Sequence, residues 1–208
     1  MLGLTRLLLA SGMLGCGSLV DLEDFDPIPP LSDLDLTAVN PALPCEYWEL
    51  REGFGGPPDP DSRDRVIGRS GSRQELDLEV VAALDTLHLQ HGVGNRCLPG
   101  YCFLYIASVR ESEIEVWSSA AAWAVFFGVI DRPEEAVLLA AAHDYYWGGA
   151  KETGAIKAVA DGYELVVLKT VRFCDSVQVD RFVLHVSASG AVTVKDSEVW
   201  SKEGGVCI

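Results

Sequence analysis

Apolar positions at helical and strand spacings divide the second two-thirds of the chain into short elements. Leu76, Val80, Val81, Leu84 and Leu87 recur at helical spacing with Gly92 and Gly94 behind them as stop signals, which predicts a helix over 74–90. Residues 101–109 and 114–117 are rich in β-branched and aromatic side chains and flank Arg110-Glu111-Ser112-Glu113, the pattern of a β-hairpin. The alanine-rich stretch 118–127 reads as a short buried helix. Asp131-Arg132-Pro133-Glu134 is a helix start, with Asp131 as cap, Pro133 in the first turn and Glu134 as the side chain that reaches back. The helix it opens is expected over 132–147, with Val137, Leu138, Ala141 and Tyr145 as its buried stripe and Gly148-Gly149 as its end. Four strands follow at 155–160, 163–172, 177–186 and 191–200, joined at Asp161-Gly162 and Ser189-Gly190 by dipeptides suited to tight turns.

Consecutive strands on short turns make an antiparallel meander, and a helix laid on one face covers it. The expected class is therefore α+β: a helix packed on a four-stranded antiparallel meander, preceded by a helix and a β-hairpin. That order resembles cystatin-like architecture, an analogy of shape that carries no activity with it. Upstream, 17–44 sets Asp21, Glu23, Asp24, Asp26, Asp33 and Asp35 among prolines 27, 29, 30, 41 and 44 without sustained periodicity, the composition of an extended tether. Glycines and prolines between Gly53 and Ser72 read as loop. The organisation expected is a leader over 1–15, a tether over 16–44, an irregular segment over 45–72 and one domain over 73–208.

The first residues carry an address. Arg6 precedes an apolar run from Leu7 to Leu14 that ends in Met13-Leu14-Gly15-Cys16. The run falls short of the roughly 20 apolar residues that span a bilayer and matches the core of a secretory signal. It resembles the signals of bacterial lipoproteins, in which small Gly15 precedes the cleavage point and Cys16 receives the lipid. The resemblance implies a cell-envelope protein held to the membrane through acyl chains on Cys16. Gly17, in place of an aspartate, tilts that expectation towards the outer membrane. An ordinary cleaved signal, giving a secreted or periplasmic protein, is one alternative, and a coincidental apolar start on a cytosolic protein is the other.

Cleavage before Cys16 would leave 15 basic and 31 acidic side chains, a net charge of −16. Such a surface disfavours nucleic acid and anionic headgroups and attracts cationic partners. Six cysteines in an exported chain suggest an oxidising compartment. The favoured pairs are Cys97 with Cys102, around a short turn, and Cys174 with Cys207, which would tie down the chain end. Cys45 is then left over; the other arrangement pairs it with an unlipidated Cys16.

Candidate chemistry is sparse. His88 and His91 form H-x-x-H at the end of the first predicted helix, without the glutamate of H-E-x-x-H, and read more simply as histidines at a helix C-terminus. His143-Asp144 closes the later helix beside Tyr145, Tyr146 and Trp147. Asp59, Asp61 and Asp64 superficially suggest calcium, but Arg63 and Ser70 stand where an EF-hand needs ligands. No zinc spacing, serine-hydrolase elbow or phosphate-cradling glycine loop occurs. No catalytic residue, metal site or cofactor is therefore expected. The leading functional expectation is an envelope lipoprotein with a non-catalytic binding domain. An extracytoplasmic hydrolase or metal-dependent enzyme using the His88, His91 and His143 region is the alternative, and an inhibitor of a cationic envelope or host enzyme is a further one.

Overall fold

The computed structural model describes residues 20–55, 64–94, 102–173 and 176–204. Its elements run β1 (Asp26–Pro27), β2 (Tyr47–Phe54), β3 (Arg65–Gly71), α1 (Leu78–Thr86), β4 (Cys102–Arg110) and β5 (Glu113–Trp117). They continue with α2 (Ala120–Phe127), α3 (Pro133–Ala142), β6 (Ala155–Val159), β7 (Gly162–Arg172), β8 (Ser176–Val186) and β9 (Val192–Gly204). The strands form two antiparallel sheets, one of five strands in the order β1-β6-β7-β8-β9 and one of four in the order β3-β2-β4-β5.

This corrects the expected single helix-on-meander layer. The meander of β6 to β9 exists, but β1 extends its edge and a second sheet closes over the far side of the helices. The reason lies in α3. Every residue from Glu135 to Ala142 is buried, so the helix has no polar side to offer water and must be covered all round. Trp48, Leu50, Leu104 and Ile106 from the four-stranded sheet meet Leu165, Val167, Leu184 and Val186 from the five-stranded one. Trp123, Phe126, Phe127, Leu138 and Leu139 of the two helices fill the space between. The four-stranded sheet is buried on its other face too, where Tyr47, Phe103, Tyr105, Ala107 and Val109 pack against Val80 and Leu84 of α1. Strand alternation assigns odd positions of β2 and β4 to that outer core and even positions to the central one.

Two upstream expectations also change. Of the segment 45–72 expected to be irregular, Tyr47–Phe54 and Arg65–Gly71 are paired strands. The expected tether packs on the domain from residue 20 onward: Phe25, Ile28, Leu34, Leu36 and Val39 are buried. Ile28 N–H donates to the Gly154 carbonyl (2.9 Å) and Ala42 N–H to that of Phe126 (2.7 Å). Its apolar residues are spaced irregularly because the segment follows the surface through short 3₁₀ turns, Leu31–Asp33 and Leu36–Ala38, and not through a repeating backbone.

The helices are shorter than their apolar patterns. α1 ends at Thr86, and α3 at Ala142, after which Asp144 adopts a left-handed φ of 66° and Tyr146 pairs with Leu168 of β7. The cap of α3 is also shifted by one residue. Arg132 takes the cap position and Glu135, not Glu134, reaches back, accepting N–H bonds from Asp131 (3.0 Å) and Arg132 (3.2 Å) and a third from Asn40 (2.9 Å). Among the described residues no helix is long and apolar enough to cross a membrane.

Candidate functional site

The outer face of the four-stranded sheet carries a continuous polar chain in otherwise apolar surroundings. On β2, Tyr47 donates from its hydroxyl to Glu49 Oε2 (2.7 Å), and Arg51 donates from Nε to Glu49 Oε1 (2.6 Å). Glu49 and Arg51 are both buried. Two residues apart on one strand, they share a face, which brings the charges together. Arg51 also donates from Nη2 to the Leu84 carbonyl (2.7 Å) and from Nη1 to that of Leu87 (3.3 Å), so it caps the C-terminus of α1. Tyr105, directly across from Arg51 in β4, donates to Asp64 Oδ2 (2.6 Å). Asp64 Oδ1 lies 2.9 Å from His88 Nδ1, and its Oδ2 accepts from Leu89 N–H at 3.4 Å.

Burial and a charged acceptor shape the two tyrosines. Burial first, then the bond to Glu49, pushes Tyr47 up to about 12, and burial with the bond to Asp64 pushes Tyr105 up as well. Both remain neutral donors across the physiological range. His88 is held at Nδ1 by Asp64, while its Nε2 is buried without a hydrogen-bond partner. A carboxylate orienting one imidazole nitrogen and leaving the other free is the geometry of a positioned base. The free nitrogen is closed to solvent, however, and among the described residues no serine, threonine or cysteine side chain is bonded to it.

Beside this chain is an open cleft of about 200 Å³ lined by Gln90, His91, Gly92, Gly94, Cys102, Phe103 and Asp144. Its apolar floor is Phe103, whose ring lies 6.2 Å from that of Tyr105. The wall exists because Val93 bridges to Leu104, continuing the edge that β5 leaves off. Gly92 is required there, since a Cβ would collide with the Leu104 carbonyl oxygen. Asp144 enters from the turn after α3, with Lys169 Nζ 3.7 Å from its carboxylate. That ammonium also donates to the His143 carbonyl at 2.9 Å.

The histidines expected to act together are separated. Because α1 ends at Thr86, His88 and His91 do not share a helix face: His88 turns to Asp64 and His91 to the cleft. His143 sits at the C-cap of α3, where desolvation and the Lys169 ammonium hold it below its ordinary value. The cleft thus joins His91 to Asp144 without His88 or His143. Among the described residues no group of three or more His, Cys, Asp or Glu side chains is placed to hold a metal. Glu49, Arg51, Tyr105, Gln90 and Phe103 escaped the sequence reading. The alternation of Tyr47, Glu49 and Arg51 was the available signal.

Cys16, Cys97, Cys174 and Cys207 lie outside the described residues. Cys102 is disulfide-bonded and Cys45 is a free thiol. Burial and neighbouring Glu115 push the Cys45 thiol up, which leaves it a poor nucleophile. Comparison with protein-family models, with curated proteins and with solved structures gives no match.

Proposed function

We propose that this chain is a cell-envelope lipoprotein, anchored through Cys16, whose domain binds a basic protein partner without chemical turnover. The observation that carries the reading is the composition of the cleft: a carboxylate, Asp144, with Gln90 and His91 at the rim and Phe103 beneath. A long cationic side chain can lay its methylenes on Phe103 and its charge against Asp144, in competition with Lys169. The net charge of −15 supports the same polarity of partner by steering basic molecules inward. At about 200 Å³ the cleft has room for one such side chain, so a partner's remaining contacts would fall outside it.

Titration of the mature protein with a short arginine-bearing peptide tests the reading. Saturable binding that weakens with salt, and weakens roughly tenfold in Asp144→Asn, is expected for loss of one charge-assisted contact. Binding unaffected by that substitution would move recognition elsewhere. Inhibition of a basic envelope enzyme by the wild type would name the further alternative as the partner class.

A hydrolytic reading has one supporting observation, the free Nε2 of His88 opposite the Asp64 contact. It requires displacement of whatever covers that nitrogen. Ester or amide hydrolysis lost in both His88→Ala and Asp64→Asn, with folding intact, would establish it.

A further inference from the structure

The lipid on Cys16 and the packing of the chain just beyond it together set an orientation. This step rests on the anchoring reading above. Val20 and Leu22 pack against Phe25, Ala155 and Val166, a small core on the outer face of the five-stranded sheet. Val166 lies on the side opposite Leu165 and Val167, which point into the central core. From Cys16 to Val20 is four residues, a reach of at most about 14 Å when fully extended. A tether of 28 residues would have let the domain tumble freely; four residues hold it close. The domain itself is wider, since a chain of this size has a radius of gyration of about 16 Å.

We propose that the outer face of the five-stranded sheet, at the β1–β6 side, is the surface this domain presents to the bilayer. One cross-strand row runs Lys157, Glu164, His185, Thr193 from β6 to β9. Lys157 is 3.1 Å from Glu164 and lies over the Phe25 ring at 4.5 Å. The next row on that face is Ala155, Val166, Val183, Asp196, and in the row beyond it Arg181 pairs with Glu198 and stacks on Trp200. Glu164 and Glu198 are thus matched by cations, whereas exposed Asp196 on the same face and Asp21, Glu23, Asp24 and Asp26 beside the small core carry no ion pair among the described residues, so the short connection to Cys16, and not the charge of the face, carries the orientation. The cleft with His91 and Asp144 belongs to the other sheet, which leaves it open towards the aqueous side.

The test uses the full chain with its own leader, expressed in a bacterium and reconstituted in phosphatidylethanolamine and phosphatidylglycerol vesicles containing a headgroup spin-labelled lipid. In a Cys45→Ser background, Val159→Cys on the outer face of β6 and Glu79→Cys on α1 are labelled separately with a fluorophore. Quenching at 159 at least threefold stronger than at 79 is expected, and a ten-residue glycine-serine insertion after Gly17 should bring the two to the same level. Equal quenching at both positions, or quenching at 159 that survives the insertion, overturns the orientation. Intact mass on the same sample separates the two readings: a chain without acyl groups overturns the anchoring itself, whereas acylation with equal quenching overturns only the orientation.

Discussion

Arg51 donates from Nη2 to the Leu84 carbonyl 2.7 Å away, so a charge in the middle of β2 closes the end of a helix 33 residues later. Glu49 balances that charge, and neither group reaches solvent. The pair pins α1 to the four-stranded sheet. Apolar contact of Val80 and Leu84 with Tyr105 and Phe103 would hold the helix against the sheet, but without a unique rotation or register.

Breaking this pair should cost more than removing it. Arg51→Met leaves the Glu49 carboxylate buried and unmatched, and a loss of about 3–5 kcal/mol is expected in urea unfolding. Adding Glu49→Leu to that variant should recover a large part of the loss. The remainder reflects the uncapped Leu84 and Leu87 carbonyls and the Tyr47 hydroxyl. A double variant no more stable than Arg51→Met would refute the coupling.

Alkaline titration should show Tyr47 and Tyr105 ionising last, beyond Tyr145 and Tyr163, which burial also pushes up but less far. The chain has 6 tyrosines. Tyr47 and Tyr105 have folded-state values raised above the ordinary 10, Tyr47 to about 12, so folding favours their neutral forms. Their contribution is intact below pH 10 and declines as pH rises above it, because the unfolded chain ionises first. Absorbance at the phenolate band should show a late phase coincident with loss of near-ultraviolet circular dichroism. In Tyr47→Phe that phase should shrink.

Glu135 offers a second pH handle with a carboxylate. Burial pushes its value above the ordinary 4.5 despite the three N–H groups that point at it. The folded state then binds a proton more tightly than the unfolded one, so its penalty is present above the folded value and relieved as pH falls towards 4.5. Glu135→Gln places an amide donor against at least one backbone N–H and should lose about 1–3 kcal/mol at neutral pH. The gap between wild type and variant should widen as pH falls through that window. A gap that narrows would show that the N–H groups outweigh burial.

Asp144 separates backbone from charge. Its φ of 66° is a conformation that asparagine and glycine tolerate and alanine does not. Asp144→Asn should keep the melting temperature while weakening peptide binding. Asp144→Ala should lose about 1–2 kcal/mol in addition. Equal stability of the two variants would show that the turn is not constrained there.

The last four strands were legible because each is a long β-rich run bounded by a glycine turn, and strands that pair with their sequence neighbours need no distant information. Observed strands at 155–159, 162–172, 176–186 and 192–204 follow those limits closely. The hairpin of β4 and β5 and the existence of three helices were equally local. β2 was not, because Glu49 and Arg51 look like surface residues until Leu84, Leu87 and Tyr105 are brought beside them. The candidate site depended still more on folding. His91 and Asp144 are 53 positions apart and meet only because the turn after α3 closes against the Val93 bridge to β4. Periodicity along the chain determined the hairpin, the last four strands and the existence of the three helices, but neither β2 and β3 nor the burial of α3 on every side. The tertiary structure alone decided that α3 needs two sheets to cover it, that residues 20–44 pack against the domain, and which polar groups become one another's partners. Burial of a charge depends on distant atoms that satisfy it, and no local pattern encodes their arrival.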